Sequence, residues 1–239
     1  MVSLLWLGWA WASPPFPLCG ERLSWAIHYL GIHAGDVHVE TESLDSTTLK
    51  ITVSATSAPW YAVLYNVEDQ LISHWNGHRS LYHETRFREG RFWQDQKMHL
   101  DSVPVRVERS QFIDGEWKSW SNEYPDLEPM NDPVSVLYQF RTALPQHQET
   151  LHAFSGKQKT ALYVRPTDRI SLEHSVLGTI EVQQYHLFSS HRGSVEQRGN
   201  MTMALTTDAA RIPVYAHLQS TIGTIHAELT AASNSPCTL

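Results

Sequence analysis

Cysteine is scarce in this chain: its 239 residues include two, Cys19 and Cys237, too few for the cross-linked framework of a small secreted domain. A basic block is also missing. Lys and Arg number 18 against 25 Asp and Glu, for a formal charge of −7, and without a cationic stripe neither nucleic acid nor an anionic membrane surface is an expected partner. The sequence contains no Gly-x-Ser-x-Gly elbow, no Gly-rich phosphate loop and no dinucleotide fingerprint, so the commonest local signatures of acyl, phosphoryl and hydride transfer are absent. No apolar run approaches the ~20 residues that carry a helix across a bilayer.

What the chain does have is apolar content, 41% with 10% aromatic residues, enough for a substantial core without staples. The opening MVSLLWLGWAWA is apolar from Val2 to Trp11 and ends in Ala10-Trp11-Ala12, the small-x-small pattern of a secretory cleavage site. It has no Lys or Arg. The expectation is a signal peptide over residues 1–12, a single β-rich domain over 13–239, and a periplasmic or otherwise exported protein with no transmembrane segment in the mature chain. In an oxidising compartment Cys19 and Cys237 can pair and tie the two ends of the domain together.

Period two is the dominant pattern. Leu23, Trp25, Ile27 and Tyr29 alternate with Ser24, Ala26 and His28; Val37 and Val39 with Asp36, His38 and Glu40; Leu49, Ile51, Val53 and Ala55 with Lys50, Thr52 and Ser54. Each is the signature of a strand with one buried face. The alternation returns at Val103 to Val107, at Ile180 and Val182, at Met201 to Leu205, and at Ile225 to Leu229, which predicts about ten antiparallel strands. One segment differs: Asp132-Pro133 followed by Val134, Leu137, Tyr138 and Phe140, stopping before Pro145. It predicts a helix of about eleven residues with Asp132 as N-cap and Pro133 in the first position. The fold class expected is all-β, mainly antiparallel: a strongly curved sheet or partly closed β-barrel with one short helix packed on it, since a large flat sheet leaves costly edges.

The candidate chemistry is sparse. His74, His78 and His83, with His99 further on, form the densest histidine group. Positions four apart on a strand stand ~13 Å apart, whereas zinc draws nitrogens to ~2.1 Å, so no metal is expected, and no cofactor. Aromatic residues are more informative. Trp60, Tyr65, Trp75, Tyr82 and Trp93 crowd one stretch, and with Tyr138 on the helix they are the candidates for lining a hydrophobic ligand site within a curved sheet.

The motif Gly20-Glu21-Arg22-Leu23, followed by Tyr29-Leu30-Gly31-Ile32-His33-Ala34-Gly35, resembles the opening of the DUF3108 family, exported bacterial proteins of unknown function. DPVSVLYQFR, Asp132 to Arg141, is similar to that family's short helical segment, and Thr207 to Val214 with Gly223-Thr224-Ile225 resembles its closing strand pair. The resemblance runs from about Phe16 to Leu229 and implies an envelope location and a mainly β fold, with no established catalytic residues. In general look the chain is also similar to the periplasmic lipoprotein-carrier folds, a likeness of fold alone. In structural terms Gly31 and Gly35 suit a turn or a close backbone approach, Glu21 can take backbone or Arg partners at the sheet margin, and Asp208 can pair with Arg211 near a turn.

The leading expectation is a noncatalytic envelope protein that binds a lipid or other amphiphile, or an envelope protein partner. Two alternatives stand beside it. One is a hydrolase or transferase acting on an envelope polymer through residues such as Asp69, His74, His78 and His83; the other is a structural scaffold.

Overall fold

Alternation gives each strand one apolar and one polar face, and cross-strand pairing then collects like faces on the same side of a sheet. In the computed structural model, residues 18–190, 200–220 and 223–237 are described. The strands are β1 (Glu21–Tyr29), β2 (Ile32–Ser43), β3 (Leu49–Ser57), β4 (Glu68–Trp75), β5 (Ser80–Glu89), β6 (Phe92–His99), β7 (Val105–Ile113), β8 (Glu116–Tyr124), β9 (Glu149–Phe154), β10 (Lys159–His174), β11 (Gly178–Ser190), β12 (Asn200–Thr206), β13 (Pro213–Ser220) and β14 (Gly223–Asn234). The helices are α1 (Pro59–Ala62) and α2 (Ser135–Thr142). The expected signal segment, residues 1–12, lies outside the described residues.

All fourteen strands form one sheet in the order β8-β7-β6-β5-β4-β3-β2-β1-β14-β13-β12-β11-β10-β9. The chain thus lays down one meander, β1 to β8, crosses over through α2, and lays down a second, β9 to β14, whose last strand pairs with β1 from Glu21↔Asn234 to Tyr29↔Ile225. The class is as expected, mostly antiparallel β, but among the described residues the strands number fourteen rather than about ten, and a second, four-residue helix follows β3. Strands such as β8 escaped the sequence pattern because nearly all of its residues are exposed, so no buried face stands out.

The sheet is open, with β8 and β9 as its edges. Its curvature nevertheless brings the β9 edge onto the first meander, where Phe154 packs among Met98, Leu100, Val105 and Val107. Residues between the meanders bridge this approach: the Phe154 N–H donates to the Asn131 carbonyl at 2.9 Å and the Ser80 N–H to Met130 at 3.3 Å. At the turn between β1 and β2, Gly31 has φ +82°, while a Cβ at Gly35 would overlap the Thr56 carbonyl oxygen. Each glycine has the backbone reason expected of it.

Cys19 and Cys237 flank the β1–β14 seam and are joined as a disulfide, with Cα atoms 5.6 Å apart across 218 residues of sequence. Protein made in an oxidising compartment is expected to show no titratable thiol. Cys237→Ser is expected to cost about 2–4 kcal/mol in urea unfolding with an unchanged far-UV circular dichroism spectrum. Two free thiols in unreduced protein would show that the pair does not close.

Candidate functional site

Helix α2 lies across the inner, apolar face of the curved sheet, and its two ends are held by different buried charges. At the start, the Val136 N–H donates to the Asp132 carbonyl while the Asp132 Oδ1 accepts the N–H groups of Val134 at 2.7 Å and Ser135 at 3.0 Å. That is an N-cap by its bonding, with Pro133 next in line, although regular helix begins only at Ser135. The other carboxylate oxygen, Oδ2, accepts Ser80 Oγ at 2.6 Å, Ser135 Oγ at 2.8 Å, and Ser73 Oγ. His83 Nδ1 stands 3.2 Å from Oδ1. Burial pushes the Asp132 carboxyl up, but the charge and contact of His83 and the serine hydroxyls outweigh it and hold the group well below the ordinary carboxylate range.

Ser73, Asp132 and His83 are the residue types of a hydrolytic triad, yet they are assembled in the wrong order for one. Asp132 is the hub that both others touch, and none of the three is more than 1% exposed, so no substrate atom can reach the serine. They fasten the helix to β4 and β5.

The other end of α2 is clamped by Glu21 at the start of β1. Arg141 donates Nη1 to Glu21 Oε2 at 2.8 Å and Nη2 to Oε1 at 2.6 Å, a buried bidentate pair, and Tyr138 Oη donates to the same carboxylate at 3.2 Å. Arg211, from the loop after β12, caps the helix by donating Nη1 to the carbonyls of Arg141 at 2.7 Å and Thr142 at 2.5 Å. Glu21 thus has the Arg partner the sequence allowed. Asp208 does not pair with the Arg211 guanidinium as expected; its carboxylate instead accepts the backbone N–H of Arg211 at 3.2 Å, because turn geometry offers a donor closer than the side chain's end.

Between these fastenings the inner face is not filled. A cavity of about 400 Å³ lies under α2, walled by Trp25, Ile27, Val37, Val39, Val53 and Leu71 from the sheet and Val134, Leu137 and Tyr138 from the helix. It meets a second, larger depression of about 580 Å³ at Ile27 and Val37, which continues along the same face past Gly35, Ala55 and Ile225 to Tyr29, Tyr61 and Tyr65. The two make one apolar trough running from beneath the helix to the rim of the sheet that bears α1.

Of the six aromatic candidates read from the sequence, the structure places Tyr138 at the inner end of the trough and Tyr65 at its mouth. The others are elsewhere. Trp75 is 1% exposed and packs in the core beside Tyr138, ring centres 6.5 Å apart. Tyr82 sits between His74 and His99, Trp93 leans on Phe112, and Trp60 is half-exposed on α1, its Nε1 donating to the His33 carbonyl. Trp25, Ile27 and Leu137 were missed as lining residues, and only the strand alternation of the first two and the helical stripe of the third held any signal for them.

Asp69, His74, His78 and His83 do not converge. His83 pairs across from Ser73, so it shares that residue's inner face, whereas His74 is the next residue along β4 and points to the other side. Asp69, opposite Ala55, is five residues from His74 along β4, and His78 lies in the turn before β5. Among the described residues no group of three His, Cys, Asp or Glu side chains is arranged to hold a metal ion, and no helix is long and apolar enough to cross a membrane. Asp69 does have distinct chemistry of its own beside the trough mouth. Its Oδ1 accepts the Arg88 N–H at 2.9 Å, and burial, together with hydrogen bonding to Glu89 and that residue's charge, pushes its carboxyl up to about 6 despite the Arg88 bond.

Comparison with known proteins agrees with this architecture and adds no activity. The family model described as "Protein of unknown function (DUF3108)" matches residues 24–230. No curated protein matches the chain. The crystal structure of a β-barrel-like protein of the domain of unknown function DUF1849 from Brucella abortus is similar, with a TM-score of 0.60 at 8% identity over 90% of this chain and 98% of that one. The hypothetical protein CT021 from Chlamydia trachomatis aligns at 8% identity over 92% of this chain and 89% of that one, with a TM-score of 0.42.

Two carboxylates give opposite pH signatures. Asp132 titrates below its unfolded value, so its contribution is present above pH ~4 and is lost as the pH falls below that value. Asp132→Asn is expected to destabilise by about 3–5 kcal/mol at neutral pH, the cost of breaking a buried pair, and to flatten the acid limb of a chemical-denaturation profile. Asp69 titrates above its unfolded value, so stability is greatest below pH ~4 and declines as the pH rises to about 6. Asp69→Asn is expected to raise the thermal midpoint at pH 7.5 and to do so less at pH 4.5; equal effects at both values would rule out the raised carboxyl.

Proposed function

We propose that this protein, which belongs to the DUF3108 family of proteins of unknown function, is a noncatalytic envelope protein that carries the hydrocarbon chain of a lipid or other amphiphile in the trough beneath α2. The observation that carries this reading is the trough itself: a cavity of about 400 Å³ whose walls are aliphatic and aromatic side chains and whose nearest charge, Arg141, is already committed to Glu21. Its size falls in the range of small-molecule sites. An apolar hollow with no free charged or catalytic group selects for hydrocarbon. Export is supported by the apolar run with its small-x-small ending at Ala10 to Ala12 and by paired cysteines, which persist in oxidising compartments.

A ligand held by hydrocarbon burial alone has a recognisable thermodynamic signature. Each added methylene is worth about 0.8 kcal/mol, roughly fourfold in affinity. Saturated fatty acids of increasing length, titrated by displacement of a fluorescent alkyl probe, are expected to follow that increment until the chain outgrows the trough. Ala227 lines the cavity between Ile27 and Ala216, so Ala227→Phe is expected to abolish binding while leaving the circular dichroism spectrum intact. Affinity independent of chain length, or unaffected by this substitution, would remove the reading.

A further inference from the structure

The turns at the trough's mouth share an unusual surface. Leu30 and Ile32 of the β1–β2 turn, with Trp60, Val63, Leu64 and Tyr65 around α1, are all exposed. The two segments are tied together, the Ala58 N–H donating to the Ala34 carbonyl at 2.8 Å and Trp60 Nε1 to His33 at 2.9 Å. The surface extends to the β5–β6 turn, whose Gly90 N–H bonds Asn66 at 2.7 Å, and where Phe92 and Trp93 are exposed in their turn. At the opposite end of the strands the exposed large apolar side chains, Leu44, Val103 and Val176, sit singly in separate turns. Isolated exposed leucines and valines need no explanation, whereas a contiguous apolar rim does.

Three observations identify what this rim fits. Val63 and Leu64 at its apex are 84% and 77% exposed, bare aliphatic tips flanked by Trp60 and Tyr65, the arrangement in which amphipathic rings sit at headgroup depth around a hydrocarbon-seeking tip. Residues 58–67 contain no Asp, Glu, Lys or Arg, the β5–β6 turn balances Arg88 and Arg91 with Glu89 and Asp95, and the whole chain carries −7, so the charge pattern of the rim complements a surface without net charge. The rim is also continuous with the trough, since Tyr61 and Tyr65 belong to both α1's segment and the trough wall.

We infer that this rim docks on a zwitterionic lipid surface, inserting Val63 and Leu64 so that the trough mouth opens onto the acyl chains and the ligand passes between bilayer and protein without crossing water. The inference rests on the carrier reading for its ligand, but the docking can be measured separately from the carriage. Co-sedimentation of the full chain with phosphatidylcholine vesicles is expected to show partitioning, with a blue shift of tryptophan emission. The substitutions Val63→Ser and Leu64→Ser together, both at exposed positions, are expected to weaken partitioning roughly tenfold or more and to leave the affinity for a water-soluble alkyl probe unchanged. Ala227→Phe is expected to do the reverse, docking normally while binding no probe. Adding phosphatidylserine to the vesicles is expected to bring no gain. If wild-type protein partitions no better than the serine double variant, or only when anionic lipid is present, the docking inference is overturned and the rim belongs to another kind of partner. If docking survives while no protein binds the alkyl probe, the carrier reading fails alone.

Discussion

A helix laid across the inside of a sheet leaves N–H and carbonyl groups over at its ends, and where an end is shut away from water, as at the buried Asp132 and Ser135, the protein itself must satisfy them. In this structure that requirement is met by charges, Asp132 at the first turn and the Arg211 cap at the last, while the Arg141–Glu21 pair holds the last turn to β1. Alone, a helix of eight residues would not form in water. It exists because β4 and β5 supply partners for one end while β1 and the loop after β12 supply partners for the other. The two fastenings join the first meander, through β4, β5 and β1, to the second, through the loop after β12.

Fastening by the ends has a consequence for what lies in the middle. A helix that owed its position to close packing along its whole stripe would have to be seated on the sheet, and interiors packed in that way leave few voids larger than a water molecule. Held at its termini, α2 stands over the sheet like a strap. Phe140 is driven into the cluster with Tyr185 and Leu187, and Tyr138 reaches Trp75, but Leu137, which touches that cluster on one side, lines the hollow on the other. Rigid ends and an unfilled centre suit a site that accepts flexible hydrocarbon, where shape matters less than dryness.

The helix and the first three strands were legible because their signals are local. Asp-Pro before an apolar stripe marks a helix start, and the residues from Leu23 to Ala55 alternate cleanly because they cover an apolar interior. From β5 to β8 the inner face turns polar, with His83, Thr85, Gln96 and Arg109 all buried, and alternation fades as a signal even though the strands are regular. Arg109 donates Nε to Gln96 at 3.0 Å, a pairing that makes a buried charge acceptable and breaks off, after Val105 and Val107, the apolar alternation by which β7 is otherwise read. The clamp was invisible for a different reason: Glu21 and Arg141 are 120 residues apart, and only the fold brings them together. Aromatic density misdirected the choice of ligand-lining residues, since Tyr82 is turned to the other side of its strand and Trp75, though on the inner face, is taken up in core packing against Tyr138, whereas Trp25 and Ile27 reach the trough by the same alternation that predicted their strand.

The order of strands also has a temporal meaning. Hairpin contacts within β1 to β8 can form as the chain emerges, since each strand pairs with the one made just before it. The partner on the other side of β1 is β14, so this strand in the middle of the finished sheet spends most of synthesis as an uncovered edge, the kind of edge that invites pairing with a foreign strand. Contacts so distant in sequence are slow to form. The Asp132 end of α2 can lock onto β4 and β5 early, and Arg141 onto Glu21, but the carbonyls of its last turn wait for Arg211 of the second meander. For most of its birth this protein is half a basket with its handle attached on one side, and a helper that shields the bare flank of β1 during that interval would act on folding yield and leave the finished molecule unchanged.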